Sequence, residues 1–286
     1  MMKFLVLGCN GMAGHTIGLY LKERGNKVDG FARRENPLFS THVGDARDLS
    51  YLQEIIVNGK YTAVINCIGI LNAFAENDHE AATFLNSYLP HFLEKITSNT
   101  DTRVIHISTD CVFSGKRGNY SEMDFPDGET FYDRSKALGE LINDKDLTIR
   151  SSIIGPDLNP NGIGLFNWFM QQDGPIKGFS RAIWTGQTTL QLAKSIEEAI
   201  HQDAHGLYNL VPNTSINKYE LLCLLNKYFR NNAVEIVPDD NFVVDKSLVR
   251  KNFSLLDYTV PDYEQQVVEL FDWVLRYKSL YNHYKL

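Results

Sequence analysis

The segment Gly8-Cys9-Asn10-Gly11-Met12-Ala13-Gly14 lies between the apolar run Lys3–Leu7 and a helical pattern that begins at Met12. Few folds place such a segment there. Glycines in a strand-to-helix turn permit a sharp bend, close approach of backbone to a pyrophosphate, and close packing of helix on strand. The helix start adds unpaired N–H donors and the positive end of its dipole. Gly8, Asn10, Gly11 and Met12 are therefore candidates for holding a dinucleotide. A purely structural turn is the competing reading, and the strand–turn–helix context counts against it.

The pattern repeats along the first half of the chain. Strands are predicted at Lys3–Leu7, Lys27–Ala32, 63–67, 104–107 and 147–149, and helices at 12–24, 49–57, 79–96 and 132–142. Short, continuously apolar runs fit strands covered on both faces. Strands alternating with helices predict an α/β fold, a Rossmann-type doubly wound parallel sheet with a smaller C-terminal substrate-binding lobe. The texture changes after Ser152. Residues 155–164, with Pro156, Pro160 and Gly162, are turn-rich and leave the sheet. Helices at 188–200, 217–229 and 263–277 and a sixth strand at 206–211 are expected beyond it. The domains read as 1–152 with about 187–211 for the nucleotide, and 153–186 with 212–286 for the smaller lobe. Phe271, Trp273, Tyr277, Tyr281 and Tyr284 read as packing of that lobe.

Composition narrows the function. A chain of 286 residues can bury a large core without staples. With 28 Lys+Arg against 35 Asp+Glu its net charge is −7, which argues against a nucleic-acid partner. The apolar start is cut by Gly8 and Asn10, far short of a signal peptide or a membrane span. Cys9, Cys67, Cys111 and Cys223 form no CxxC pair and have no His at ligand spacing. Reduced thiols, no metal and a cytoplasmic protein are expected.

The end of the second strand selects the cofactor. An acid there would hold a ribose 2′-hydroxyl, whereas Arg suits a 2′-phosphate. Ala32 is followed by Arg33 and Arg34, and Asp29 falls mid-strand. NADP(H) is favoured over NAD, with a solvated turn as the bland alternative for the two arginines. Asp45 and Ala46 follow Gly44 where the adenine would lie, with Asp48 as an ordinary helix N-cap.

The fourth strand runs into Ser108-Thr109-Asp110, and Tyr132-Asp133-Arg134-Ser135-Lys136 opens the next helix. Residues four apart share a helix face, so Tyr132 and Lys136 point together. A free phenol, with a pKa near ~10, is a sluggish acid–base at neutral pH. A neighbouring ammonium and a positive nicotinamide favour the phenolate and draw that value down. Thr109 can bond the reacting oxygen, and Lys136 can also hold the nicotinamide ribose.

These motifs resemble the extended short-chain dehydrogenase/reductase superfamily over nearly the whole chain. The resemblance rests on Gly8/Gly11/Gly14, Asn66-Cys67-Ile68-Gly69, Asn86, Ser108-Thr109-Asp110-Cys111-Val112-Phe113 and Tyr132…Lys136. Ser-Thr-Asp-x-Val-Phe followed by Tyr-x-x-x-Lys-x-x-Gly-Glu is most similar to the dTDP-4-dehydrorhamnose reductase group. The resemblance implies Thr109, Tyr132 and Lys136 as the catalytic set. It places Asn66, Cys67, Ile68, Gly69 and Asn86 along the cofactor channel and a nucleotide sugar in the smaller lobe. Asn167 and Cys111 are expected on the substrate side, with Lys177 and Arg181 as a clamp on the sugar diphosphate. Ordinary surface charge is an even alternative for those two cations.

The chain departs from the group's pattern at Cys111, where Tyr is common, at Asp133-Arg134-Ser135, and at Trp184-Thr185-Gly186-Gln187. Related dehydratases carry Asp-Glu after the active-site Thr, and here Cys111 follows Asp110. The expectation is NADPH-dependent reduction of the 4-keto group of a 4-keto-6-deoxy nucleotide sugar for polysaccharide precursors. One alternative is an epimerising reductase that uses Cys111 as a base, although no His between 107 and 200 can supply the opposite acid. Another is a non-catalytic NADP-binding regulatory subunit, since one such subunit of methionine adenosyltransferase resembles the same group. Monomer and homodimer both stay open.

Overall fold

The structure, a computed structural model, describes residues 1–286. Six strands of its main sheet are β1 (Lys3–Leu7), β2 (Lys27–Ala32), β3 (Ser40–Val43), β4 (Ala63–Asn66), β5 (Arg103–Ser108) and β6 (Leu147–Arg150). A seventh, Gly206–Asn209, completes it. From one edge the order is the seventh strand, then β6, β5, β4, β1, β2 and β3, every pairing parallel.

The apolar runs fold this way because both faces of the sheet are covered. Phe4 and Val6 of β1 join the core on one side, while Leu5 and Leu7 join the core on the other. Helix α1 (Met12–Glu23) packs with the helix Thr189–His201 on the first face, and α2 (Leu49–Gly59) contributes to the second. Successive strands run outward from β1 through β2 and β3, then from β4 in the opposite direction. The reversal lies between β1 and β4, and the crevice at their C-terminal ends is where such sheets bind ligands.

Three local readings need correction. β3 was not expected: Ser-Thr-His-Val carries a single large apolar residue, because an edge strand with exposed ends needs no more. The helix expected over 79–96 is wound as a π-turn at Thr83–Tyr88, between His79–Ala82 and Leu89–Thr97. Pro90 explains it, since proline has no N–H to return to the carbonyl of Asn86. The helix expected over 132–142 spans Phe131–Leu138 and stops at Gly139. A Cβ on Gly139 would stand 1.9 Å from the Asn86 carbonyl oxygen, so this glycine lets two backbones touch.

Beyond Ser152 the chain builds small sheets. Ser152–Ile154 pairs with Gly186–Thr188, Ile176–Phe179 with Ile236–Asp239, and Ala182–Trp184 with Ile216–Asn217 and Val244–Asp245. The helices Lys218–Phe229 and Tyr263–Arg276 pack on one another through the Phe229–Phe271 edge contact, and Phe166 meets Phe229 and Tyr284 edge-on beside them.

Candidate active site

The glycine turn has the shape its sequence calls for. Gly8 adopts a positive φ of +78°, and its N–H donates to Phe31 O at 2.8 Å, tying the turn to β2. A Cβ on Gly14 would lie 2.3 Å from Gly8 O, so α1 can sit this close to β1 only with glycine there. Gly11 caps α1 without a capping side chain, and the first turn holds no acidic residue. The first N–H donors of α1, from Met12 onward, are therefore left for a bound anion. This fits the pyrophosphate of a dinucleotide.

Beside the turn, Asn10 Nδ2 donates to Arg34 O at 2.9 Å and draws in the segment after β2. Arg33 and Arg34 are exposed. Asp29 pairs in register with Leu5 and is taken by the Tyr61 hydroxyl and, at 3.4 Å, by Lys3. It is not the acid that would hold a ribose. Asp45 is exposed and accepts from Arg47 N, Ala46 is buried, and Asp48 caps α2 by accepting from Tyr51 N.

Thr109, Tyr132 and Lys136 meet at the C-terminal end of β5, all three buried. A capping box between Thr130 and Asp133 starts the helix Phe131–Leu138, and Glu76 accepts the N–H of Tyr132 at 3.1 Å. Lys136 Nζ donates to Ile107 O at 2.8 Å, and burial pushes its pKa down to about 8 against the opposing pull of Glu140 and Cys67. The Tyr132 phenol is raised, first by burial and then by Cys111, while a hydrogen bond from Thr109 opposes the rise. The side chains of the site alone thus hold Tyr132 as a protonated acid.

Two amides placed along the cofactor channel do other work. Asn86 is 0% exposed; its Oδ1 accepts from Ile70 N, and its Nδ2 donates to Ile70 O and Ser135 Oγ. It clamps the Cys67–Ile68–Gly69 loop to the helix of Tyr132, and is corrected to a positioning residue. Asn66 is equally buried, bonded to Ile68 N and His106. Gly69 is exposed, and Cys67 and Ile68 are half-buried beside the glycine turn.

On the substrate side, Cys111 lies in a small cluster with Ala75, Ala82 and Tyr132. Burial, then the charge of Asp110, pushes its thiol up to about 12, so it is no thiolate at neutral pH. Asn167 is corrected: fully buried, it donates to Pro160 O at 3.0 Å and Gly162 O at 2.7 Å and pins the turn that brings Gly164 to Met12. Lys177 is exposed and pairs with Asp239 at 3.3 Å, and Arg181 is exposed beside Val244. The cations acting on the buried Asp110 are Lys218 and Lys246. Lys218 sits 4.6 Å from the Trp184 ring centroid, its pKa lowered to about 8 by burial, and Lys246 lies 3.9 Å from Asp133. Sequence reading missed both because each comes from a segment a hundred residues distant with no motif of its own.

Comparison with known proteins adds a family. The model described as RmlD substrate binding domain matches residues 2–285. A Haloferax volcanii protein named as a probable low-salt glycan biosynthesis reductase is 32% identical over 161 residues, 54% of this chain and 54% of its own. The Bacillus subtilis spore coat polysaccharide biosynthesis protein SpsK is 30% identical over 159 residues, 52% of either chain. The matched stretch spans about half the length of these curated relatives. Among solved structures, a dTDP-4-dehydrorhamnose reductase from Bacillus anthracis in complex with NADP superposes with a TM-score of 0.81. It is 21% identical, covering 95% of this chain and 99% of that one, a likeness of fold. No helix is long and apolar enough to cross a membrane.

Proposed function

The chain belongs to the RmlD substrate-binding-domain family of extended short-chain dehydrogenases/reductases, and from this we propose that it reduces the 4-keto group of a 4-keto-6-deoxy nucleotide sugar with NADPH, for polysaccharide precursors. The observation that carries the reading is a phenol, a hydroxyl and an amine, all buried, gathered beside an uncapped glycine turn. When bound, the reduced nicotinamide supplies a hydride to the ketone carbon. Tyr132 gives its proton to the ketone oxygen, and Thr109 holds that oxygen in place. Lys136 holds the nicotinamide ribose and favours the tyrosinate left behind. Arg33 and Arg34 take the 2′-phosphate, with Asp45 and Ala46 along the adenine.

The sugar nucleotide lies against the lobe built from 153–186 and 212–286. Its charge is met by Lys218 and Lys246 in place of Lys177 and Arg181. Epimerisation through Cys111 is disfavoured by a thiol held near 12. Dehydration is disfavoured by the absence of Glu after Asp110.

Loss of NADPH absorbance with 4-keto-6-deoxy sugars carried on dTDP, UDP and GDP tests the proposal. Turnover with at least one is expected. Tight NADPH binding with no turnover on any would replace the enzyme by a binding module.

A further inference from the structure

A buried ion pair stands at the C-terminal ends of β5 and β6, beside the catalytic set. Ser108 and Arg150 end these neighbouring strands in register, and Glu140 follows the helix of Tyr132 and Lys136 by two residues. All three are buried. Arg150 grips the Glu140 carboxylate at both oxygens, Nε to Oε1 and Nη2 to Oε2, each at 2.7 Å. Ser108 Oγ donates to the same Oε1 at 2.7 Å. The guanidinium lies 5.1 Å from the ring centroid of Phe113, and its Nη1 has no partner. Apolar residues of the same volume would serve the core as well or better, since a buried pair repays little more than its own desolvation. What the pair adds is orientation.

Two charged heads from one helix end reach the same strand end. Lys136 Nζ donates to the carbonyl of Ile107, and Glu140 accepts from the side chain of Ser108, the next residue. Thr109 follows at once. Three groups face Lys136 from the elements around it: Glu140, Cys67 from the loop after β4, and His106 of β5 at 3.4 Å. Burial pushes the thiol up to about 12 and keeps the imidazole neutral, so the ion-paired carboxylate is the anion among them. We propose that Glu140, locked by Arg150, is a positioning residue that ties the strand end presenting Thr109 to the helix of Tyr132 and serves the Lys136 ammonium as its buried counter-ion. The tie's effect on turnover rests on the reductase reading; the counter-ion does not.

The counter-ion is read from the titration of Lys136 ¹³Cε by NMR. Glu140→Gln replaces the carboxylate by a neutral amide of the same shape, and Glu140→Gln with Arg150→Met leaves neither charge buried without its partner. With folding checked by thermal melts, the midpoint is expected to fall by about one pH unit in both. If the single variant does not fold, the double variant decides. An unmoved midpoint overturns the proposal whether or not any sugar is reduced, and a fall in the single variant alone would trace to the unpaired Arg150 and overturn it too. Ser108→Ala cuts the tie and leaves every charge in place. A fall in kcat of about tenfold to a hundredfold is expected, with KM for NADPH and the melting temperature unchanged, as for misplaced reacting groups. Full turnover, or an equal loss of NADPH affinity, overturns the tie. A wild type inactive on every keto-sugar would sink the reductase reading, and the titration would still judge the counter-ion.

Discussion

Tyr132 keeps its proton because burial outweighs the help of Thr109, and a proton donor must hold a proton to give one. Tyr132→Phe should lower turnover by about two to four orders of magnitude, the usual range for a lost general acid. NADPH affinity by calorimetry should barely change; if most turnover survives, the donor is another group. Arg33→Ala should narrow the preference for NADPH over NADH by about tenfold to a hundredfold. Equal affinity of the wild type for both cofactors would remove Arg33 and Arg34 from that role. Thr109, Tyr132 and Lys136 were legible because their spacing is local: a strand end and one helical turn. Lys218 and Lys246 were not, because they meet the site across the fold. Asn86 and Asn167 spend their hydrogen bonds within the protein instead, for one shared reason. Residue type tells that a side chain can bond, and only packing tells with what.

Elements were read best where a physical signal ran without interruption. β1 has the predicted limits since a continuous apolar run stopped by glycine has one stable use, a strand covered on both faces. β3 escaped since an edge strand lacks that signal, and the π-turn escaped since periodicity does not register one missing hydrogen bond at Pro90. One close contact seats α1 on the turn after β1 through Gly14. Gly14→Ala must move the Gly8 carbonyl or the helix, because its Cβ would stand 2.3 Å from that oxygen. A loss of about 1–3 kcal/mol is expected, of the order found for overpacked sites, in chemical unfolding. NADPH binding should fall with it, since the same shift re-aims the helix N-terminus. Unchanged stability and affinity would show the turn to be looser than described.

At the scale of the whole molecule, the C-terminal end of the chain braces the cofactor turn. His15 is buried, with Nδ1 2.8 Å from Gly11 O and Nε2 2.9 Å from the Tyr281 hydroxyl. Burial pushes its pKa down to about 4 from an ordinary 6.5. Between those values the unfolded chain binds the extra proton, so stability rises with pH through this window and is lost as pH falls through it. The full effect is up to about 3 kcal/mol. His106 acts in the same direction. Urea unfolding from pH 7 to pH 4 should show this slope, and His15→Gln should flatten part of it; a wild type with flat stability would contradict the linkage. No local pattern announced the brace, since its partners are 266 residues apart. The change from one large parallel sheet to smaller C-terminal sheets was legible, because alternation of strand and helix stops where the turn-rich segment after Ser152 begins. Hydride transfer to a sugar ketone leaves a label that can be followed. The protein would be incubated with a nucleotide-linked 4-keto-6-deoxyhexose and NADPH deuterated at the transferable position of nicotinamide C4, and the product read by NMR. Deuterium on carbon 4 of the sugar is expected, whereas a reduced sugar without it, or labelled cofactor bound and never consumed, would overturn the hydride transfer.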